Sequence, residues 1–225
     1  MAIDETLLQA AIDHHECAVR WYRWSVPTIS LGYFQSLAAC HADATWTSLP
    51  IVRRLSGGGA ILHDQELTYS CVLAAEHPFA RTPSGLYALI HEVLISALVE
   101  RGIPVAVRGQ TSPELNTAFL CFGRGDAQDV VLAGFKVLGS AQRRRKGAVL
   151  QHGSLVLEKS PLTPQFPGVF DLAPPRFDLD EFQIETAAKI AACLDLQWQS
   201  AALRPDELMF ARSRAAQHVF PGLTG

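Results

Sequence analysis

The sequence predicts an α+β fold in which a mixed or antiparallel β-sheet is covered by a few helices. Three observations carry this prediction. Short β-type runs recur along the 225 residues, one long apolar stripe at helical spacing lies among them, and the regular βαβ alternation of a Rossmann fold is absent. The length and an apolar content of 48% suit one buried core, so the chain reads as a single domain over residues 1–225.

Ile3, Leu7, Leu8, Ala11 and Ile12 fall at helical spacing, and the aromatic run from Cys17 to Trp24 that follows reads as a strand. Thr28 to Leu31 is a short β run, and the small residues from Leu37 to Trp46 suit a short helix. Ile51 to Arg54 and Glu66 to Ala74 read as strands separated by a loop at Ser56 to Gly59. Ser84 is placed to cap a helix whose stripe is Leu86, Leu89, Ile90, Val93, Leu94, Ala97 and Leu98, with Gly102 placed to end it. Further β segments are expected at Val105 to Val107, Ala118 to Phe122, and Asp129 to Ser140, the last folded into a hairpin at Ala133-Gly134. Another should run from Val149 to Leu157. The proline-rich stretch from Pro161 to Pro175 reads as an irregular connection, and helices are expected over Asp180 to Leu194 and Pro205 to Gln217.

A net charge of -3 without one long basic run points to neither nucleic acid nor a membrane surface as partner. Met1-Ala2-Ile3-Asp4-Glu5 has no basic segment and apolar run of a secretion signal, and no stretch reaches the roughly 18 apolar residues of a membrane span, so a cytoplasmic location is expected. Five widely spread cysteines, Cys17, Cys40, Cys71, Cys121 and Cys193, show no Cys-x-x-Cys pairing, so free thiols and no metal site are expected.

Arg53-Arg54-Leu55-Ser56-Gly57-Gly58-Gly59-Ala60 sets two cations beside a loop whose glycines let backbone N–H groups approach an acyl carbonyl or a phosphate. The same residues also suit a plain hairpin turn. His63 could orient a substrate or move a proton, although taken alone it suits a structural hydrogen-bonding role better. Lys136 lies in a largely apolar hairpin, where a buried ammonium would need an anionic or strongly polar partner; at the surface it would be an ordinary solvated residue. Arg143-Arg144-Arg145-Lys146 would complement an acidic carrier protein, or form a solvated turn. Cys121 ends an apolar run beside Gly123-Arg124-Gly125, a cationic setting that could favour a thiolate, whereas Cys71 and Cys193 read as small hydrophobes.

The stretch from Arg53 to Asp64 resembles the signature loop of the lipoate–protein ligase A and biotin–lipoate ligase superfamily. Trp21-Tyr22-Arg23-Trp24, Ser30-Leu31-Gly32-Tyr33-Phe34-Gln35 and Lys136 to Gln142 resemble further blocks in the same order, so the resemblance covers most of residues 1–160. Glu66-Leu67-Thr68-Tyr69-Ser70 and Gly139 through Ser154 look most like the LipM-type octanoyltransferases, whose nucleophile falls at Cys121.

That resemblance implies a biotin/lipoate–protein ligase catalytic-domain fold and a two-step transfer. Cys121 would take octanoate from an acyl carrier thioester and yield it to a lysine of a lipoyl domain, with an acyl carrier protein or the glycine-cleavage H protein as donor. No cofactor is implied. Lys136 would support the acyl carbonyl and the thiolate. Arg53, Arg54, Ser56, Gly57, Gly58, Gly59, His63, Gly139, Ser140, Ala141, His152 and Gly153 would shape the substrate pocket. The chain departs from the family after Cys121-Phe122, where Gly123-Arg124-Gly125-Asp126 replaces the usual serine and aromatic. Two alternatives stand beside this reading: an ATP- and Mg-dependent lipoate–protein ligase using Lys136 without Cys121, and a non-catalytic protein that binds a lipoyl domain or an acyl group.

Overall fold

The structure, a computed structural model, describes residues 1–41, 46, 48–109, 119–123, 125–173 and 176–220. Strands β1 (Ala18–Tyr22), β2 (Thr28–Leu31), β3 (Ile51–Arg53), β4 (Ile61–His63), β5 (Glu66–Leu73), β6 (Ala106–Val107), β7 (Val130–Leu132), β8 (Phe135–Arg145) and β9 (Ala148–Val156) form two sheets. The larger is antiparallel in the order β1-β5-β9-β8-β7-β6. The smaller is β3-β2-β4, with β2 parallel to β3 and antiparallel to β4.

The pleat of β5 and β9 separates two environments, because successive side chains point to opposite faces. Leu67, Tyr69, Cys71 and Leu73 of β5, with Val149 and Leu155 of β9, belong to the main core. They meet helix α4 (Pro83–Val99), whose Leu86, Ile90, Val93, Leu94, Ala97 and Leu98 are the buried stripe expected from spacing. Helix α6 (Leu179–Cys193) adds Phe182 and Ile190 to this layer and is capped by Asp178, whose Oδ1 accepts from the amides of Asp180 and Glu181. On the opposite face, Val72, Ala148 and Leu150 pack against Leu7, Leu8 and Ala11 of helix α1 (Ala2–His14). On the same face, Glu66, Thr68, Ser70, His152 and Ser154 are polar yet buried. Ile29, Leu31, Ile51 and Ala60 of the small sheet and its loop form a separate apolar cluster with Leu120.

Both hairpins that frame β8 use two successive residues in the left-handed region, Ala133 (φ 50°) with Gly134 (φ 85°) and Lys146 (φ 48°) with Gly147 (φ 86°). Such pairs match the right-handed twist of the flanking strands. The first is the turn expected at Ala133-Gly134. The second divides the basic run: Arg143 stacks 4.7 Å from the Tyr33 ring, Arg144 donates to the Ala80 carbonyl at 2.7 Å, and Arg145 lies 3.8 Å from Glu5.

Several expectations are corrected. Helix α4 begins at Pro83 after Thr82, so Ser84 lies inside its first turn; proline, having no amide hydrogen to lose, suits that start. Between the glycine loop and β5, Ile61–His63 forms an additional strand (β4), held by antiparallel pairing with β2. The strand expected over Ala118 to Phe122 is instead a single bridge from Leu120 to Ala60 followed by a 3-10 turn, Cys121–Gly123; Ala118 lies outside the described residues. Bonding of the Gly123 amide to the Leu120 carbonyl curls the chain there. The proline-rich connection contains one helical turn, α5 (Val169–Leu172), where Asp171 accepts from the Gly168 amide at 2.9 Å. Of the helix expected over Leu37 to Trp46, Ala38–His41 is helical (α2) and residues 42–45 lie outside the described residues. A one-turn helix, α3 (Pro78–Arg81), precedes α4, and α7 (Pro205–His218) closes the described chain. Among the described residues, no helix is long and apolar enough to cross a membrane.

Helix α7 is clamped to α1 through Glu5, whose carboxylate accepts from Arg214 at 2.7 and 3.1 Å and meets His218 Nε2 at 2.9 Å. His218 Nδ1 donates to the Arg53 carbonyl at 2.9 Å, linking α7 to β3 as well. Burial raises the Glu5 carboxyl, but its bonds to Arg214 and His218 outweigh that and hold it below the usual range. Glu5→Gln should therefore lower stability by about 2 kcal/mol, or a melting shift of roughly 4–8 °C. Equal melting curves for the two proteins at neutral pH would show that α7 is not held this way.

Candidate active site

Between the polar face of β5 and β9 and the small sheet lies an open cavity of about 490 Å³. Its walls include Arg54, Gly57, Gly58 and His63 from the small sheet and its loop, Cys121, and Lys136, Gly139, Ser140, Ala141, His152 and Gly153 from β8 and β9. Ile61, Thr68, Phe122 and Ser154 also face it. Three residues expected in the pocket, Arg53, Ser56 and Gly59, are not in its lining.

The glycine loop is built around Arg54, which is 2% exposed. Nη1 donates to Ser30 O at 2.9 Å and Ser30 Oγ at 3.2 Å, and Nη2 to Gly57 O at 2.8 Å and Gly59 O at 2.5 Å. Gly58 takes φ 95°, a conformation side chains resist, and any side chain on Gly32 would collide with the Gly58 carbonyl. Arg53 holds the neighbouring loop instead, donating from Nη1 to the carbonyls of Gly32, Tyr33 and Gln35 at 2.8–3.0 Å. Burial pushes the Arg54 guanidinium down to about 10, against an upward pull from the Cys121 sulfur, so it stays cationic at neutral pH.

Directly after the loop, Ala60 accepts from the Cys121 amide at 2.6 Å, and its own amide bonds to Phe119 O at 3.3 Å. The thiol-bearing turn is thus hung from the end of the glycine loop. Lys136 reaches it from β8, with Nζ 3.5 Å from Cys121 Sγ, 3.4 Å from Cys121 O and 2.7 Å from Asp129 Oδ1. Burial pushes the Asp129 carboxyl up, and the ammonium opposes this. Gly139 is small because Lys136 passes over it: a Cβ there would lie 2.5 Å from Lys136 Cε and 2.9 Å from Nζ.

Three histidines share one arrangement. His152 Nδ1 faces Asp4 at 3.1 Å, and its Nε2 meets the Ser56 hydroxyl. His63 Nδ1 faces Glu66, which also accepts from Thr68 and Ser154, and its Nε2 meets Ser30 Oγ at 2.7 Å. His91 Nδ1 faces the Gln128 carbonyl at 2.8 Å, and its Nε2 meets Ser140 Oγ at 2.7 Å. A carbonyl or carboxylate can only accept, so each Nδ1 donates, and in a neutral imidazole the Nε2 then accepts from the serine hydroxyl. Burial raises the Asp4 carboxyl, but the bond from His152 and surrounding positive charge outweigh it and hold Asp4 far below the usual range; burial also lowers His152. Ser140 belongs to a directed chain: Gln151 Nε2 donates to Tyr69 OH at 2.8 Å, Tyr69 to Ser140 Oγ at 2.7 Å, and Ser140 to His91. These imidazoles brace the cavity walls.

Asp4, His91 and Asp129 were missed from the sequence. Asp129 had a usable signal, since a buried ammonium in the hairpin required an anion nearby. Asp4 and His91 come from helices distant in sequence, and no spacing connects them to Ser56 or Ser140. Arg124 lies outside the described residues, and among those described no group of three or more His, Cys, Asp or Glu could hold a metal ion.

Burial pushes His91 down to about 4 from an ordinary 6.5, helped by the Lys136 charge and opposed by the Gln128 bond. Between those values the unfolded chain binds a proton that the folded one refuses, so stability falls as pH drops from 6.5 towards 4, by at most about 1.4 kcal/mol per pH unit from this group. Chemical denaturation across that window should show a shallower slope in His91→Gln than in the natural chain. Parallel slopes would count against a neutral His91.

The lipoyl protein ligase A/B catalytic domain family model matches residues 1–163. The chain is 42% identical over 168 residues to octanoyltransferase LipM of Moorella thermoacetica, covering 70% of this chain and 60% of that protein. It is 37% identical over 171 residues to octanoyltransferase LipM of Bacillus subtilis, with the same coverage of each. It therefore spans about 60% of the length of these curated relatives. Among solved structures, a lipoate-protein ligase A bound with ATP superposes at TM-score 0.71 with 20% identity, covering 96% of this chain and 88% of that one. The bipartite lipoate protein ligase of Thermoplasma acidophilum gives 0.66 at 20% identity, covering 96% and 86%. These likenesses show a common fold, and the family match over the segment that carries the glycine loop, Cys121 and Lys136 places this chain in the lipoyl protein ligase A/B catalytic domain family.

Proposed function

We propose that this chain transfers an octanoyl group from a carrier thioester, through a thioester on Cys121, to a lysine of a lipoyl domain. The observation that carries this reading is the Lys136 ammonium 3.5 Å from Cys121 Sγ, anchored by Asp129 at 2.7 Å. An ATP-dependent ligase needs no thiol at that point, and the relatives at 42% and 37% identity are named octanoyltransferases.

Cys121 sulfur attacks the donor carbonyl, a new C–S bond forms, and the carrier thiol leaves with the proton. Exchange between thioesters is nearly balanced, so this step needs mainly positioning. The lysine amine then attacks the Cys121 thioester, C–N forms as C–S breaks, and the amine proton passes to the departing sulfur. Lys136 stands beside that sulfur in both steps. The more stable amide drives the second, so no ATP is consumed. Either an acyl carrier protein or the glycine-cleavage H protein would serve as donor, with lipoyl domains as acceptors and the cytoplasm as the setting.

The test mixes purified protein with octanoyl carrier protein and an apo lipoyl domain, without ATP, and follows intact masses. An octanoyl increment is expected on both enzyme and acceptor, absent from both in Cys121→Ala. Lys136→Ala should slow transfer by roughly 10²-fold or more. Transfer that waits for free octanoate and ATP, and survives Cys121→Ala, would identify a ligase instead.

A further inference from the structure

The turn after β2, from Gly32 to Gln35, holds two aromatic side chains out of the protein. Tyr33 is 42% and Phe34 86% exposed, and their rings meet edge to face with centroids 5.0 Å apart. The backbone beneath them is firmly anchored. The Tyr33 amide donates to Ser56 O at 2.8 Å, the Gln35 amide to Gly32 O at 2.9 Å, and the Gly32 amide to Gln35 Oε1 at 2.9 Å. Arg53 adds its bonds to the carbonyls of Gly32, Tyr33 and Gln35. A single exposed aromatic is ordinary, but a rigid turn that displays two in succession forgoes their burial and suits contact with another protein.

This pair stands at the rim of the cavity that holds Cys121. Gly32 packs so closely on Gly58, a cavity residue, that a Cβ would lie 2.1 Å from the Gly58 carbonyl oxygen. From the other side comes Arg143, two residues beyond the cavity residue Ala141 on β8 and therefore on the same face. Its guanidinium lies 4.7 Å from the Tyr33 ring. Among the described residues no carboxylate neutralises it. Arg53 and Arg144 likewise bond only carbonyls, and Lys146 is exposed at the turn, whereas Arg145 faces Glu5. The rim is thus aromatic and positively charged. From Gly139, over which Lys136 passes, to Arg143 the strand covers about 13 Å.

We infer that the acyl donor docks on this rim: an acidic carrier protein rests its body on Tyr33, Phe34 and Arg143 while a long prosthetic arm carries the octanoyl thioester along the cavity to Cys121. The uncompensated cations select an acidic partner, and the aromatic pair supplies the apolar contact. The span selects the donor over the acceptor. A lysine side chain is too short to bridge it, so the lipoyl domain must settle nearer the thiol, whereas an arm lets the carrier's body stay at the rim.

This rests on the octanoyl-transfer reading, and the experiment separates the two. Acylation of Cys121 is followed by intact mass with two donors, octanoyl carrier protein and octanoyl-N-acetylcysteamine, a thioester without a protein body. Transfer to an apo lipoyl domain is followed separately, from enzyme already loaded by the small thioester. Phe34→Ser and Arg143→Glu should each raise the half-saturating concentration of the carrier protein by roughly 10-fold or more. Added salt should weaken use of the carrier by the natural chain, and less so in Arg143→Glu. Acylation by the small thioester and transfer from the loaded enzyme should be unchanged. Arg143→Gln replaces the charge reversal if that variant does not fold. An unaltered carrier dependence in the variants would overturn the inference, as would acylation by the small thioester alone. So would a defect confined to the lipoyl-domain step, which would give the rim to the acceptor, or an equal defect with the small thioester, which would place these side chains in the catalytic cavity. If neither donor acylates Cys121, the octanoyl-transfer reading fails and this inference with it.

Discussion

The guanidinium of Arg54, buried beneath the glycine loop, bonds on one side to Ser30 of β2 and on the other to the carbonyls of Gly57 and Gly59. One planar fork thereby joins the small sheet to the loop and fixes the direction in which the loop leaves. The consequences run along the chain. Gly58 can adopt its left-handed conformation and approach Gly32 closely, Ala60 emerges where it can accept the Cys121 amide, and the thiol is delivered to the reach of Lys136. Lysine could not replace this geometry, since an ammonium has no planar fork to span acceptors on two elements.

The second constraint is the two-sided character of β5 and β9. A strand offers one face to each environment, and here the part of the face turned from α4 that borders the cavity is polar and buried. Buried polar groups need partners, and this face finds them in Asp4 of α1, His63 of β4 and Ser56 of the loop. The same bonds that satisfy Glu66, His152 and Ser70 hold three separate elements around one cavity. Its lining can be rigid without being apolar because each histidine has both ring nitrogens engaged.

Gly139 and Lys136 show how composition and placement cooperate. The long lysine side chain folds back over its own strand, and a Cβ at position 139 would force its end to shift from where it lies. Asp129 then neutralises the ammonium from the start of the neighbouring strand. Chain direction at the Ala133-Gly134 turn brings the two together, so a local turn preference has a distant chemical result.

Much of this was legible in residue order. Periodicity identified α1, α4, α6 and α7, turn chemistry located the β7–β8 hairpin, and the run from Arg53 to Asp64 marked the loop that carries the site, because these features depend on neighbours within one turn or one strand. Cys121 and Lys136 were singled out as residues, but their 3.5 Å approach was not visible across a sequence separation of 15. The short β4 and the turn at Cys121–Gly123 escaped because three-residue elements take their shape from partners, here β2 and Ala60, rather than from propensity. Only the folded chain decided that Arg53 would hold a surface loop while Arg54 went under the glycines, that Ser56 would face His152 rather than the cavity, and that Asp4 and His91 would stand behind the walls. Local sequence governs which backbone conformations a segment prefers, whereas pairing between distant polar groups is settled by burial, which acts only once the elements have packed.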